Sequence, residues 1–178
     1  MIKKLLLLVI VAIVALIVIA AFQPATFRVT RSASMAAPPS KVFEFLNDFH
    51  RWDEWSPWAK LDPAMKTTYE GPASGVGAIY TWSGDSKVGK GRMTLVESRT
   101  NEKVGIKLEF IEPIAAVNAT EFQLSSQGDQ TTVVWSMDGT NNFAGKMFGL
   151  FMNMDKMIGG DFEKGLEQLK TAAEAKAK

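Results

Sequence analysis

The sequence contains no cysteine, a single histidine and almost no net charge. Without cysteine there is no disulfide, no thiolate nucleophile and no cysteine-ligated metal, a composition that suits an oxidising compartment. One imidazole, His50, excludes any site that needs two. Twenty Lys+Arg against 19 Asp+Glu give a formal net charge of +1, too little for a nucleic-acid surface built on phosphate neutralisation. Setting Lys3 and Lys4 aside leaves 18 basic against 19 acidic residues, a net of −1, so bulk charge does not select the partner. A G-x-S-x-G elbow, a P-loop, a Rossmann fingerprint and a metal-ligand cluster are all missing. Gly75-Val76-Gly77 and Gly89-Lys90-Gly91 are turn glycines at strand starts, since neither opens a helix. No catalytic constellation emerges, and neither a metal nor a cofactor is expected.

What the chain does have is one long apolar run. Lys3 and Lys4 precede an unbroken stretch from Leu5 to Phe22, and a buried core helix would show a polar face that this stretch lacks. As a helix it spans roughly 27 Å, near the hydrocarbon thickness of a bilayer. Ala20 and Ala21 leave open a cleaved signal peptide, but the run exceeds the usual ~7–15 residues of a signal core. The expectation is a membrane anchor over residues 1–24, crossing through residues 5–22. The two leading lysines favour a cytoplasmic N-terminus and an extracytoplasmic domain over residues 25–178, although Arg28 and Arg31 weaken that asymmetry.

Beyond Pro24 the pattern is α+β. Thr26 to Met35 alternates with period two, Phe27, Val29 and Arg31 on one face. Ala36 to Ser40 breaks the chain, with Ser40 offering an N-cap, and Val42, Phe43, Phe45, Leu46 and Phe49 recur at helical spacing. Three tryptophans follow in RWDEWSPW. Extended segments are expected at Lys66–Glu70, Gly77–Ser83, Arg92–Glu97, Val104–Phe110, Val117–Ser125 and Thr131–Gly139, separated by turn residues. From Phe143 to Leu169 the period becomes 3.6, predicting one long amphipathic helix that runs on to the Ala/Lys end, with Gly159-Gly160 as its point of kink or break. Sequential hairpins favour an antiparallel sheet, and so long a stripe needs a curved sheet to cover.

This order, together with Pro38-Pro39-Ser40-Lys41-Val42-Phe43-Glu44-Phe45-Leu46, the Trp52–Trp58 box, Gly75-Val76-Gly77 and Trp82-Ser83-Gly84, resembles the START / polyketide-cyclase-dehydrase superfamily (SRPBCC) over about residues 26–172. The resemblance implies a helix-grip fold, a curved antiparallel sheet wrapped around a long C-terminal helix, here with an added N-terminal transmembrane helix. It also implies a cavity between sheet and helix for a hydrophobic small molecule or lipid. The superfamily spans carriers, receptors and cyclases, so fold alone does not select a function; the membrane segment departs from its usual soluble members.

On that fold the candidate lining is Trp55, Trp58, Tyr80, Trp82, Met93, Phe122, Trp135, Met147, Phe151 and Met154. Each has a second reading. The tryptophan box either frames a cavity mouth or plugs the end of the sheet. Tyr80 and Trp82 either line the cavity or sit outside as cross-strand pairs. The methionines of the last helix either form an adaptable wall or are plain core. Arg92 and Glu109 are expected on the solvated face by alternation, and His50 at a helix end. Three functions follow: a membrane-tethered binder of an apolar ligand, a cyclase- or dehydratase-like enzyme needing an inward acid or base such as Glu70, Tyr80 or Glu121, and an interaction module with an apolar patch on the sheet's outer face.

Overall fold

A computed structural model describes residues 2–175; the last Ala/Lys residues lie outside them. The apolar run forms α1 (Ile2–Ala21), a 20-residue helix long and apolar enough to cross a membrane. Its side chains face outward except at Ala20. Then come β1 (Thr26–Met35), α2 (Pro39–Asn47), a 3-10 helix (Phe49–Glu54), and six strands: β2 (Lys66–Glu70), β3 (Ile79–Ser83), β4 (Lys90–Arg99), β5 (Lys103–Glu112), β6 (Ala116–Gln127) and β7 (Gln130–Thr140). Two helices follow, α3 (Phe143–Gly149) and α4 (Met154–Glu174).

The seven strands form one antiparallel sheet in the order β1-β7-β6-β5-β4-β3-β2. Period-two alternation sends Val104, Ile106, Leu108 and Phe110 of β5 to the concave face, beside Asn118, Thr120, Phe122 and Leu124 of β6. The convex face is ionic. Lys103 bridges Glu97 at 2.9 Å and Glu121 at 2.6 Å, Lys107 meets Glu109 at 2.7 Å, and Arg28 meets Asp138 at 3.4 Å. Arg92 stands opposite Glu109 in the ladder on this face, as alternation requires, with its Nε buried and without a hydrogen-bond partner among the described residues. Of the exposed apolar strand residues, Val96 stands near one end of the sheet and Ile111 and Val117 near the other, which counts against one continuous apolar docking patch across the outer face.

Two local readings are corrected. Ser40 does not cap α2: the N-cap is Pro38, without a side-chain hydrogen bond, and Pro39 supplies a pre-set φ at the first turn. Nor is the C-terminal stripe one helix. It breaks over residues 150–153, ahead of Gly159-Gly160, through which α4 runs unbroken. Asn142 accepts the Gly145 N–H at 2.9 Å and Asn153 accepts the Lys156 N–H at 3.0 Å, so each half has its own N-cap. α4 lies along β1, held by Lys170 Nζ on the Ser34 carbonyl at 2.8 Å and by Glu174 on the Ala36 N–H at 2.7 Å. α3 leaves the sheet and packs against α1.

Candidate functional site

The concave face is filled at one end and thinly covered at the other. At the filled end Trp52 and Trp55 descend from the 3-10 helix and its cap, their indole N–H groups donating to the Leu46 and Phe45 carbonyls at 3.3 and 3.1 Å. Trp135 of β7 stacks flat on Phe162 of α4, centroids 3.9 Å apart and planes 7° from parallel. Trp55 and Trp58 meet Trp135 edge-on at 5.7 and 5.9 Å, and Phe122 lies 4.8 Å away. Offset and edge-to-face contacts of this kind add to the burial of large apolar area. Gly165 makes the stack possible: a Cβ there would stand 2.8 Å from the Trp135 ring.

Towards the ends of β3 and β5 the cover thins. Trp82, Met93 and Met137 are buried, but Leu108, Phe110, Trp58 and Ile158 around them are only half-buried. The Trp82 ring lies across β4 over Gly91, where a Cβ would come within 2.2 Å of it, and its N–H donates to the Val88 carbonyl at 3.0 Å. Two buried polar atoms on the concave face lack a hydrogen-bond partner among the described residues: the Thr120 hydroxyl and the Trp135 indole N–H. Thr120 pairs with Met137, two residues along β7 from Trp135. Buried polar groups are ordinarily satisfied, so two on one face call for an explanation.

Seven of the ten candidate residues thus share the concave side: Trp55, Trp58, Tyr80, Trp82, Met93, Phe122 and Trp135. Met147, Phe151 and Met154 do not join that cluster: the break at 150–153 carries Met147 off the sheet with α3 and leaves Phe151 72% exposed, and Met154 stands half-buried at the very start of α4. The sequence reading missed Asn118, Thr120 and Met137. Alternation from Phe122 and Trp135 would have placed all three on the same face.

Protic chemistry on this face is sparse. Burial, followed by the neighbouring Tyr69 and Asp53, pushes the Tyr80 phenol well above its ordinary value, so it stays protonated and serves as a hydrogen-bonding group. Glu70 is exposed at the sheet edge. Glu121 lies on the convex side; desolvation raises its carboxyl, but hydrogen bonds from Lys103 and Gln123 outweigh that and hold it below its ordinary value. Neither carboxylate reaches the concave face. The short helix is capped by Asp48, whose carboxylate accepts the His50 N–H at 2.9 Å and meets the His50 ring at 2.8 Å; that ring stacks on Tyr69 rather than entering the groove.

The fold recurs among solved structures. Protein CV1439 from Chromobacterium violaceum superposes with a TM-score of 0.60 at 15% identity, covering 86% of this chain and 100% of its own. The Aha1 dimer protein from Colwellia psychrerythraea gives 0.60 at 16%, covering 83% and 96%. The di-domain ARO/CYC protein BexL of the BE-7585A biosynthetic pathway gives 0.61 at 14%, covering 89% of this chain and 53% of that one. No curated protein matches the sequence. At the level of sequence profiles, the family described as polyketide cyclase / dehydrase and lipid transport matches residues 26–174. With the seven-stranded grip around α4 already in place, that match covers nearly the whole domain, and the chain belongs to this family.

Proposed function

We propose that the protein is a membrane-tethered binder of a hydrophobic small molecule or lipid, held on the concave face between β3–β7 and α4. The observation that carries this reading is the pair of unpartnered buried polar atoms, Thr120 Oγ1 and Trp135 Nε1, beside an apolar strip that its own chain only half covers. Ligand sites are mostly apolar with a few placed polar groups that fix orientation. A hydroxyl and an indole N–H, with the Asn118 amide two residues from Thr120 on the same face, suit the carbonyl or hydroxyl end of an otherwise apolar molecule. The family match supports a ligand of this class. The apolar helix α1 supports the tether, and Lys3 and Lys4 ahead of it favour a cytoplasmic N-terminus with the domain across the membrane.

The test is native mass spectrometry of the full chain released from nanodiscs after incubation with a total lipid extract. A retained apolar mass, lost in Leu108→Arg, supports the reading. A bare protein mass in both, with the fold intact by circular dichroism, overturns it.

A further inference from the structure

Strand directions place a distinctive set of residues at one end of the sheet. β1 begins there, β7 ends there, and the β5–β6 connection turns there. α1 arrives at the same end. Ala21 and Thr26 are separated by only residues 22–25, which reach at most ~14 Å when extended. The junction is tied down further: the Asn141 N–H donates to the Ala25 carbonyl at 2.8 Å, and Lys146 Nζ lies 3.4 Å from the Ala21 carbonyl. α3 packs against α1 itself.

The part of this end next to α1 is apolar where loops are ordinarily polar, whereas the β3–β4 turn farther along the same end carries Asp85, Ser86 and Lys87. Phe22 is 86% exposed, Ile114 of the β5–β6 loop 67% and Phe151 72%, with Phe143, Phe148 and Met152 also exposed. These come from three separate stretches of chain, so no single amphipathic segment explains them. The opposite end of the sheet is built differently. Its turns carry Arg99, Asn101, Glu102, Gln127 and Asp129. Such a contrast between the α1-proximal corner and the opposite end of the sheet matches a domain with that corner in a bilayer interface and the rest in water.

We infer that the anchor-proximal end, comprising α3, the 150–153 break and the β5–β6 loop, is seated in the headgroup region of the membrane that α1 crosses, so that the thinly covered part of the concave face opens towards lipid. This rests on the reading of α1 as a membrane span. The short 22–25 connection, with the Asn141 and Lys146 hydrogen bonds across it, holds this end close to the membrane surface. Lys146 and Lys156, flanking the exposed Phe148, Phe151 and Met152, can keep their ammonium groups at the phosphates while their stems stay apolar. The break between α3 and α4 has a purpose on this view. It frees α3 from the sheet and turns its apolar residues to the membrane.

The natural absence of cysteine permits single-site labelling of the full chain. Val11→Cys, Ile114→Cys, Phe151→Cys and Asp129→Cys, each carrying an environment-sensitive fluorophore, are reconstituted in vesicles of phosphatidylcholine and phosphatidylglycerol. The lipids are brominated either near the headgroup or deep in the acyl chains. The proposal expects deep quenching at residue 11, shallow quenching and a blue shift at 114 and 151, and neither at 129. Quenching at 11 with none at 114 and 151 overturns the seating while leaving the tether intact. A blue shift at 151 without lipid quenching overturns it in favour of a second copy of the chain on this face. No quenching at 11 removes the tether and, with it, the seating.

Discussion

The Arg31 guanidinium of β1 lies directly against the backbone of Gly159 in α4: a Cβ at that glycine would stand 2.0 Å from Arg31 Nη2. The side chain threads across the helix where no Cβ blocks it. It donates from Nε to Glu163 at 2.7 Å, from Nη1 and Nη2 to Asp155 at 3.0 Å each, and from Nη2 to the Asp155 carbonyl at 3.0 Å. One strand residue thereby clamps both the first and the third turn of α4. The planar fork of arginine suits this, and a lysine could not reproduce it.

The two adjacent glycines should therefore respond oppositely to alanine. Gly159→Ala forces the guanidinium out of its place and costs the clamp, so the melting temperature falls. Gly160 has open space where its Cβ would go, and Gly160→Ala should stabilise by about 1 kcal/mol through helix propensity alone. Thermal melts of the two variants decide this, and a shared sign would show that Arg31 does not depend on Gly159.

The same clamp makes the α4–β1 seam acid-sensitive. The Arg31 hydrogen bond holds the Asp155 carboxyl below its ordinary 3.8, and the Ala36 N–H followed by Lys170 holds Glu174 below its ordinary 4.5. A carboxyl depressed in the folded state contributes stability that is complete above its unfolded value and fades as pH falls through the folded one. Asp155→Asn and Glu174→Gln should thus lower the melting temperature at neutral pH and converge on the wild type as pH falls through and below the ordinary carboxylate range. Parallel melting curves across that range would contradict the assignment.

Much of this architecture is legible in the residues. β5 alternates so strictly that its inward row could be named, and α1 declares itself by lacking any polar face. The break before α4 was harder, because an apolar stripe of period 3.6 continues across a short gap without losing phase. Gly149 and Asn153 are of the stop and start types, but the apolar spacing runs past them unbroken. The role of Gly159 could not be read locally at all: it depends on which side chain of a strand 128 residues earlier meets it. The same holds for the site. Alternation assigns Thr120 to the concave face, but whether its hydroxyl finds a partner is settled only by packing.

The tether has its own test. If α1 is retained, the intact mass of the protein recovered from membranes includes residues 2–21. With Lys3 and Lys4 on the cytoplasmic side, Asp129→Cys should react with a membrane-impermeant maleimide in intact cells. A mass starting near Gln23 would indicate cleavage, and labelling only after lysis would reverse the orientation.

The two unpartnered atoms of the concave face, Thr120 Oγ1 and Trp135 Nε1, allow stability and binding to be separated. Thr120→Val keeps the shape of the side chain and removes a buried hydroxyl that has no partner, and Trp135→Phe keeps an aromatic ring against Phe162 without the N–H. Leaving such a group unpaired costs about 1–3 kcal/mol, so Thr120→Val should raise the stability of the ligand-free protein by up to about that amount. Trp135→Phe also loses packing volume, and it should gain less. Both should retain the apolar ligand more weakly, because the groups they lack are those that would hold its polar end. A residue present only for packing would show the reverse, lower stability with binding unchanged. Denaturant unfolding of delipidated protein, set beside ligand retention by native mass spectrometry, therefore tells a binding groove from a merely imperfect core: if Thr120→Val stabilises and ligand retention holds at the wild-type level, the hydroxyl is a packing fault and the polar end of the ligand must be sought elsewhere on the face.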